Sequence, residues 1–286
     1  MKIVRLFACL ITLVAPTVAW SQHIPAAIAS DPAPDMAHPA RMDVLHIPSG
    51  GVKINGIAYV PGGAAAHPIL VLFHGLPGNE KNLDLAQAVR RAGWTVVAPN
   101  YRGSWGSPGD FSFRHCLEDG EAVLAWVKAH AAEIGGDPAR IVLAGHSMGG
   151  WVTAETASRH PELAGAVLIS AAEMGGRTTP RDKLVETMAD NMETLVNTSP
   201  QQMADELLAA GKEWSFAPLA PGLAKLPLLV LTSDDGLAPA ADALAAAVRA
   251  APSARVATRH AATNHGWADH RIALEAAVID WLTALR

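Results

Sequence analysis

Read for its apolar and polar positions, the chain changes rhythm at about residue 42. Ahead of that point no period is visible: residues 6–14 form an apolar run broken only by Thr12, and residues 22–41 mix prolines, alanines and polar side chains. Residues 42–47 and 52–59 then read as two strands joined at Pro48-Ser49-Gly50-Gly51, a hairpin signal, and Pro61-Gly62-Gly63 ends the second. Beyond them, uncharged runs alternate with amphipathic stretches. The pattern predicts strands at 68–73, 95–99, 141–144, 163–169, 227–231 and 255–259, with helices at 82–92, 118–132, 151–160, 240–250 and 272–286. A strand buried on both faces has no polar side to alternate with. Continuous apolar runs separated by helices therefore predict an α/β fold with a mostly parallel central sheet and helices on both faces.

One stretch breaks this alternation. Residues 171–226 lack a strand-like run and hold polar, helix-compatible segments at 182–195 and 200–211, in a place that overhangs the carboxyl ends of the strands. They read as a small helical cap inserted into the domain, the alternative being an ordinary crossover with decoration. The domain itself is expected to span 42–286, preceded by a flexible leader at 22–41.

The amino terminus changes the picture of where the chain works. Lys2 and Arg5 precede the apolar run, Pro16 stops it early, and the small residues Ala19 and Ser21 follow. This is the pattern of a secretory signal peptide over residues 1–21, cut after Ala19 or Ser21; the apolar part is too short for a convincing membrane span. A lipoprotein reading through Leu6-Phe7-Ala8-Cys9 leaves no apolar core ahead of the cysteine. The mature protein is expected to be exported, periplasmic or extracellular, with no stable membrane anchor. Its one remaining cysteine, Cys116, excludes an intrachain disulfide, which suits a domain large enough to build its own core. A formal net charge of -5 with no basic run gives no footprint for nucleic acid.

The chemistry concentrates at residues 140–151. Gly145-His146-Ser147-Met148-Gly149 follows an apolar strand without a spacer and fits the pattern G-x-S-x-G, with Gly150 and a helix-forming stretch behind it. A strand that turns this sharply into a helix presents its central residue at the apex, so Ser147 is expected to stand exposed at the carboxyl end of the sheet. A serine hydroxyl is a poor nucleophile near neutral pH; a base must take its proton and a carboxylate should orient that base. On such a sheet the order is serine, acid, histidine. Downstream histidines are His160, His260, His265 and His270, and of these His265 lies in the loop between the last strand and the last helix, with His260 and His270 as alternatives. Two acids follow the strand at 227–231; Asp235, in Asp235-Gly236-Leu237-Ala238-Pro239, is favoured as the triad acid over Asp234. The oxyanion of an acyl transfer needs N–H donors, expected from Met148 and, in the loop after the strand at 68–73, from Leu76, since Pro77 has none. His74 precedes the serine and is read as a brace for that loop.

Together His74-Gly75-Leu76-Pro77-Gly78, Gly145-His146-Ser147-Met148-Gly149-Gly150, Asp235-x-x-Ala238-Pro239 and Asn264-His265-Gly266 resemble the α/β-hydrolase superfamily. Within it, Asn100-Tyr101-Arg102-Gly103-Ser104 and Asp137-Pro138-Ala139-Arg140-Ile141 are similar to the dienelactone-hydrolase and prolyl-oligopeptidase branches. The oligopeptidases' propeller is absent, and the acid loop carries Thr232-Ser233 where relatives often have glycine. A serine nucleophile also departs from the aspartate of dehalogenases and the cysteine of dienelactone hydrolases. The resemblance implies a serine hydrolase, foremost a carboxylic-ester hydrolase acting on a small-molecule ester, needing no metal or organic cofactor. A small peptidase or amidase and a non-catalytic binding protein on the same scaffold are the alternatives. Trp105, Trp214 and Trp267 are candidates to line the substrate pocket, with core packing as the other reading. Arg102 is open to two roles, holding a substrate carboxylate or making a structural ion pair.

Overall fold

The structure is a computed structural model describing residues 23–285; the expected signal peptide lies outside the described residues. Eight strands form one sheet in the order β1-β2-β4-β3-β5-β6-β7-β8. β1 (Arg41–Ser49) and β2 (Val52–Val60) are the expected hairpin, and β2 meets β4 (Thr95–Pro99) antiparallel. From β4 onward every pairing is parallel, through β3 (His67–Phe73), β5 (Gly136–His146), β6 (Gly165–Ile169), β7 (Leu228–Ser233) and β8 (Val256–Ala261).

The apolar runs conceal a period of two that the structure separates into two layers. Along β3, Ile69, Val71 and Phe73 join one core and Leu70 and Leu72 the other. The first layer is packed by α3 (Phe113–His130), α4 (Met148–Arg159) and α8 (Ala238–Arg249). The second is packed by α2 (Leu83–Arg91) and α9 (Arg271–Ala284), through Leu85, Val89, Leu274 and Val278. Fully burying each such aliphatic side chain stabilises the fold by about 1.5–3 kcal/mol. The two cores hold the strand ends in register, and the site is built on those ends.

Residues 171–226 hold α5 (Arg181–Ala189), α6 (Pro200–Ala210), a 3-10 turn at Ala217–Leu219 and the short α7 (Ala220–Leu223), joined by turns and coil, the last two without a clear sequence signal. They dock where the elbow emerges. Trp105 N–H donates to the Thr194 carbonyl at 3.0 Å and Val196 N–H to that of Gly103 at 2.9 Å, joining the insertion to the loop after β4. α5 ends at residue 189 rather than near 195; turns follow it, and Leu195 makes an isolated antiparallel bridge to Ser104. The insertion also explains why α3 begins five residues before its predicted start. Ser112 caps it by accepting from His115 N–H, and the Glu206 carboxylate of α6 accepts from Phe113 and Arg114 N–H at 3.0 and 2.9 Å. A cap supplied by a carboxylate some ninety residues away leaves no local pattern. In the segment expected as a leader, α1 (Ala26–Ala29) lies against the second layer through Ala27 and Ile28, and Arg91 donates to the Ala27 carbonyl. Among the described residues no helix is long and apolar enough to cross a membrane.

Candidate active site

β5 ends at His146, α4 begins at Met148, and Ser147 between them has φ 58° and ψ -123°. A non-glycine residue at positive φ is strained, and such strain persists where the surroundings over-determine it. Here they do: a Cβ on Gly149 would collide with the Phe73 carbonyl, and one on Gly145 with the Gly149 carbonyl. The two glycines let α4 press against β3 and β5, which forces the turn and lifts Ser147 to its apex.

The loop after β3 passes beside the serine. A Cβ built on Gly75 would stand 2.8 Å from the Ser147 Cβ and 3.4 Å from its Oγ. Leu76 follows Gly75 in this loop, and Met148 is the first residue of α4, where amides have no intrahelical partner and the helix dipole favours negative charge. His74 is buried, with Nδ1 2.8 Å from the Gly75 carbonyl and its own carbonyl accepting from the Tyr101 hydroxyl at 3.2 Å. Burial pushes the His74 pKa down from 6.5 to about 4, so it is neutral and its Nδ1–H donates to Gly75. That bond braces the turn of the loop.

β7 and β8 bring the acid and histidine together. His265 Nδ1 is 2.7 Å from Asp235 Oδ2, with the carboxylate almost wholly buried and the imidazole 40 % exposed. Asp235 also accepts from Ser233 Oγ at 3.0 Å and from Leu237 N–H at 2.9 Å. Burial alone would raise this carboxyl; the bonds from His265, Leu237 and Ser233 outweigh it and hold the pKa below the ordinary value. Asp235 is therefore ionised, and its bond to Nδ1–H leaves Nε2 as the free lone pair. Of the two acids, Asp234 is turned away: it is exposed and pairs with His260 at 3.0 Å. His270 pairs with its neighbour Asp269, and His160 with Glu121 and Glu162.

His146 was not singled out by its sequence position, yet it ties the two halves of the site. Its Nε2 is 2.8 Å from the His265 carbonyl and the two rings lie 4.6 Å apart. Burial, with the nearby His265 second, lowers its pKa from 6.5 to about 4. It is neutral, and Nε2–H donates to the histidine loop. The bond fixes His265 against the residue next to Ser147. The only signal for it was its place between the elbow glycine and serine.

The three tryptophans separate. Trp105 is 37 % exposed, donates to the Pro77 carbonyl at 2.8 Å and carries the Lys81 ammonium 3.9 Å above its ring, so it flanks the loop of Leu76. Trp214 is a core residue rather than pocket lining, packed against Trp151 and Phe113. Trp267 is likewise fully buried and donates to Ser170 Oγ at 3.0 Å. Arg102 takes the structural role, its Nε 2.6 Å from the buried Asp119 and a terminal nitrogen 2.5 Å from Glu118. Among the described residues no group of three or more His, Cys, Asp or Glu side chains could hold a metal ion.

This architecture and elbow define a class, and comparison with known proteins agrees. The chain belongs to the alpha/beta hydrolase fold family, whose model matches residues 77–269. It is 35 % identical over 107 residues to carboxylesterase NlhH of Mycobacterium tuberculosis, a match covering 36 % of this chain and 32 % of that enzyme. The chain thus matches about a third of the length of that curated relative. A hyperthermophilic esterase from the archaeon Pyrobaculum calidifontis superposes with a TM-score of 0.66 at 21 % identity, covering 87 % of each chain. A putative dienelactone hydrolase from Klebsiella pneumoniae gives 0.57 at 20 %, covering 87 % of this chain and 98 % of that one. At these identities the likeness shows the fold alone and does not select a branch.

Proposed function

We propose that the protein is a serine hydrolase of carboxylic esters, acting on a small-molecule ester through Ser147, His265 and Asp235. The observation that carries this reading is the 2.7 Å pairing of His265 with the ionised Asp235, in a loop that His146 bonds to the elbow. His265 Nε2 takes the Ser147 proton as Oγ attacks the ester carbonyl, and Asp235 stabilises the imidazolium that forms. The N–H groups of Leu76 and Met148 receive the developing oxyanion. Collapse of the tetrahedral species expels the alcohol, protonated by His265, and leaves an acyl-enzyme. Water, activated by the same imidazole, then hydrolyses it. The similarity to carboxylesterase NlhH, partial as it is, supports an ester over an amide.

The reading extends to location. Residues 1–21 act as a signal peptide, so the working form is exported and begins near residue 20 or 22; the mass of the protein recovered from an exporting host tests this. The chemistry is tested by turnover of p-nitrophenyl esters of graded acyl length beside aminoacyl amides. Faster hydrolysis of esters is expected. Preferential cleavage of the amides would make the protein a peptidase instead.

A further inference from the structure

Two hydroxyls and an indole behind the acid have no part in the chemistry above. Trp267 Nε1 lies 3.0 Å from Ser170 Oγ, Ser170 Oγ 2.8 Å from Ser233 Oγ, and Ser233 Oγ 3.0 Å from Asp235 Oδ2. Ser170, Ser233 and Trp267 are all buried, and they come from the ends of β6 and β7 and from the loop of His265. The path is a closed circuit, since Asp235 bonds His265 and His265 stands two residues before Trp267.

The direction of every proton in it is determined. An indole N–H can only donate and an ionised carboxylate can only accept. Ser170 Oγ therefore accepts from Trp267, Ser170 O–H donates to Ser233, and Ser233 O–H donates to Asp235. Any other orientation would face two lone pairs at Asp235 or two protons at Trp267. Two of the linked residues have positive φ, Ser170 at 42° and Trp267 at 57°, among the few non-glycine residues so placed among those described. Such conformations are unfavourable for a residue with a side chain and persist where surrounding contacts hold them. Aligned hydrogen bonds between buried groups polarise one another, so the chain delivers a stronger donor to Asp235 than an isolated serine would.

We propose that Ser170, Ser233 and Trp267 form a directed hydrogen-bond chain that orients the Asp235 carboxylate and sets how strongly it holds the His265 imidazole. They are positioning residues, and the proposal rests on the reading of Ser147, His265 and Asp235 as the catalytic set. Its consequence is a balance. A carboxylate relieved of one donor attracts the imidazolium more strongly, making His265 harder to deprotonate and a weaker supplier of free base at neutral pH. The other titratable and charged groups facing this pair are His146, from the end of β5, and Arg271, from the start of α9, whose Nη1 donates to the Gly266 carbonyl at 3.1 Å. Neither is altered by the variants below.

The test is the titration of His265 followed by NMR in the full mature chain, which needs no turnover, beside the pH profile of kcat/KM on a p-nitrophenyl ester. In Ser233→Ala the His265 midpoint should rise by about 0.5–1 pH unit, and the acid limb of kcat/KM should rise with it. Activity is then lost mainly below neutral pH and recovered at higher pH. Ser170→Ala and Trp267→Phe, which leave every group touching Asp235 in place, should move the midpoint in the same direction by less. Ser233→Thr keeps the hydroxyl and should return it to the wild-type value. A His265 midpoint within about 0.2 pH unit of wild type in Ser233→Ala, or a fall, overturns the chain. Failure of the catalytic reading is seen separately, as wild-type protein that does not react with a fluorophosphonate.

Discussion

Replacing Asp235 by asparagine changes one atom, and the structure dictates which. Leu237 N–H donates to Oδ1 at 2.9 Å, so the amide oxygen of the variant stays there and the NH2 group takes the place of Oδ2. That group then faces His265 Nδ1 at 2.7 Å, donor against donor. The clash is relieved when the imidazole moves its proton to Nε2, the nitrogen that accepts from Ser147 in the proposed mechanism. The base is lost by a change of tautomer without any change of shape. Such an exchange is expected to lower kcat/KM by about 10³–10⁴-fold, about 4–5.5 kcal/mol of barrier. Asp234→Asn removes only an exposed pair with His260 and should stay within about twofold of wild type, an exposed pair contributing about 0–1 kcal/mol. Initial rates on a p-nitrophenyl ester at pH 7.5 measure both, with circular dichroism to verify folding. A severe loss in Asp234→Asn beside near-normal Asp235→Asn would refute the assignment of the acid and the tautomer argument with it.

Other consequences are as specific. Gly75→Ala places a methyl 2.8 Å from the Ser147 Cβ, so hydrolysis should fall by more than about 100-fold, about 2.7 kcal/mol of barrier; normal rates would contradict the placement of the loop. His74 and His146 are each held at about 4, below the 6.5 of a free imidazole. The unfolded chain therefore binds protons first as the pH drops. The stability they contribute is whole above about pH 6.5 and is lost as the pH falls towards 4, by at most about 3 kcal/mol each. Urea unfolding at pH 7 and 4.5 should show that loss, lessened in His146→Gln, and an unchanged midpoint would contradict it. Arg102→Met strands the buried Asp119 without its guanidinium and should cost about 3–5 kcal/mol in the same assay.

The parts of the molecule legible in its sequence are those set by local pattern. The parallel sheet could be read because strands buried on both faces have no polar positions, and the elbow because glycines on either side of Ser147 are required by close backbone approach. Chain order and their places after strands couple His265 with Asp235, and the structure sets the two side chains 2.7 Å apart. Spacing alone favours Asp235 over Asp234; in the structure Asp235 pairs with His265 and Asp234 with His260. What stayed hidden depends on contacts far apart in the chain. Glu206 caps α3 from within the insertion, and nothing near Phe113 announces it. Trp214 and Trp267 could have served a pocket or a core, since a tryptophan reads alike in either. Ser170 and Ser233 did leave a trace, as polar residues just after the apolar runs of β6 and β7.

The central claim is that Ser147 is an activated nucleophile, and covalent labelling tests it most directly. Folded protein treated with a fluorophosphonate should gain a single adduct, mapped by mass spectrometry to the peptide carrying Ser147, with the rate greatly reduced in His265→Ala. Folded wild-type protein that gains no adduct, or gains it on another serine, would contradict the account.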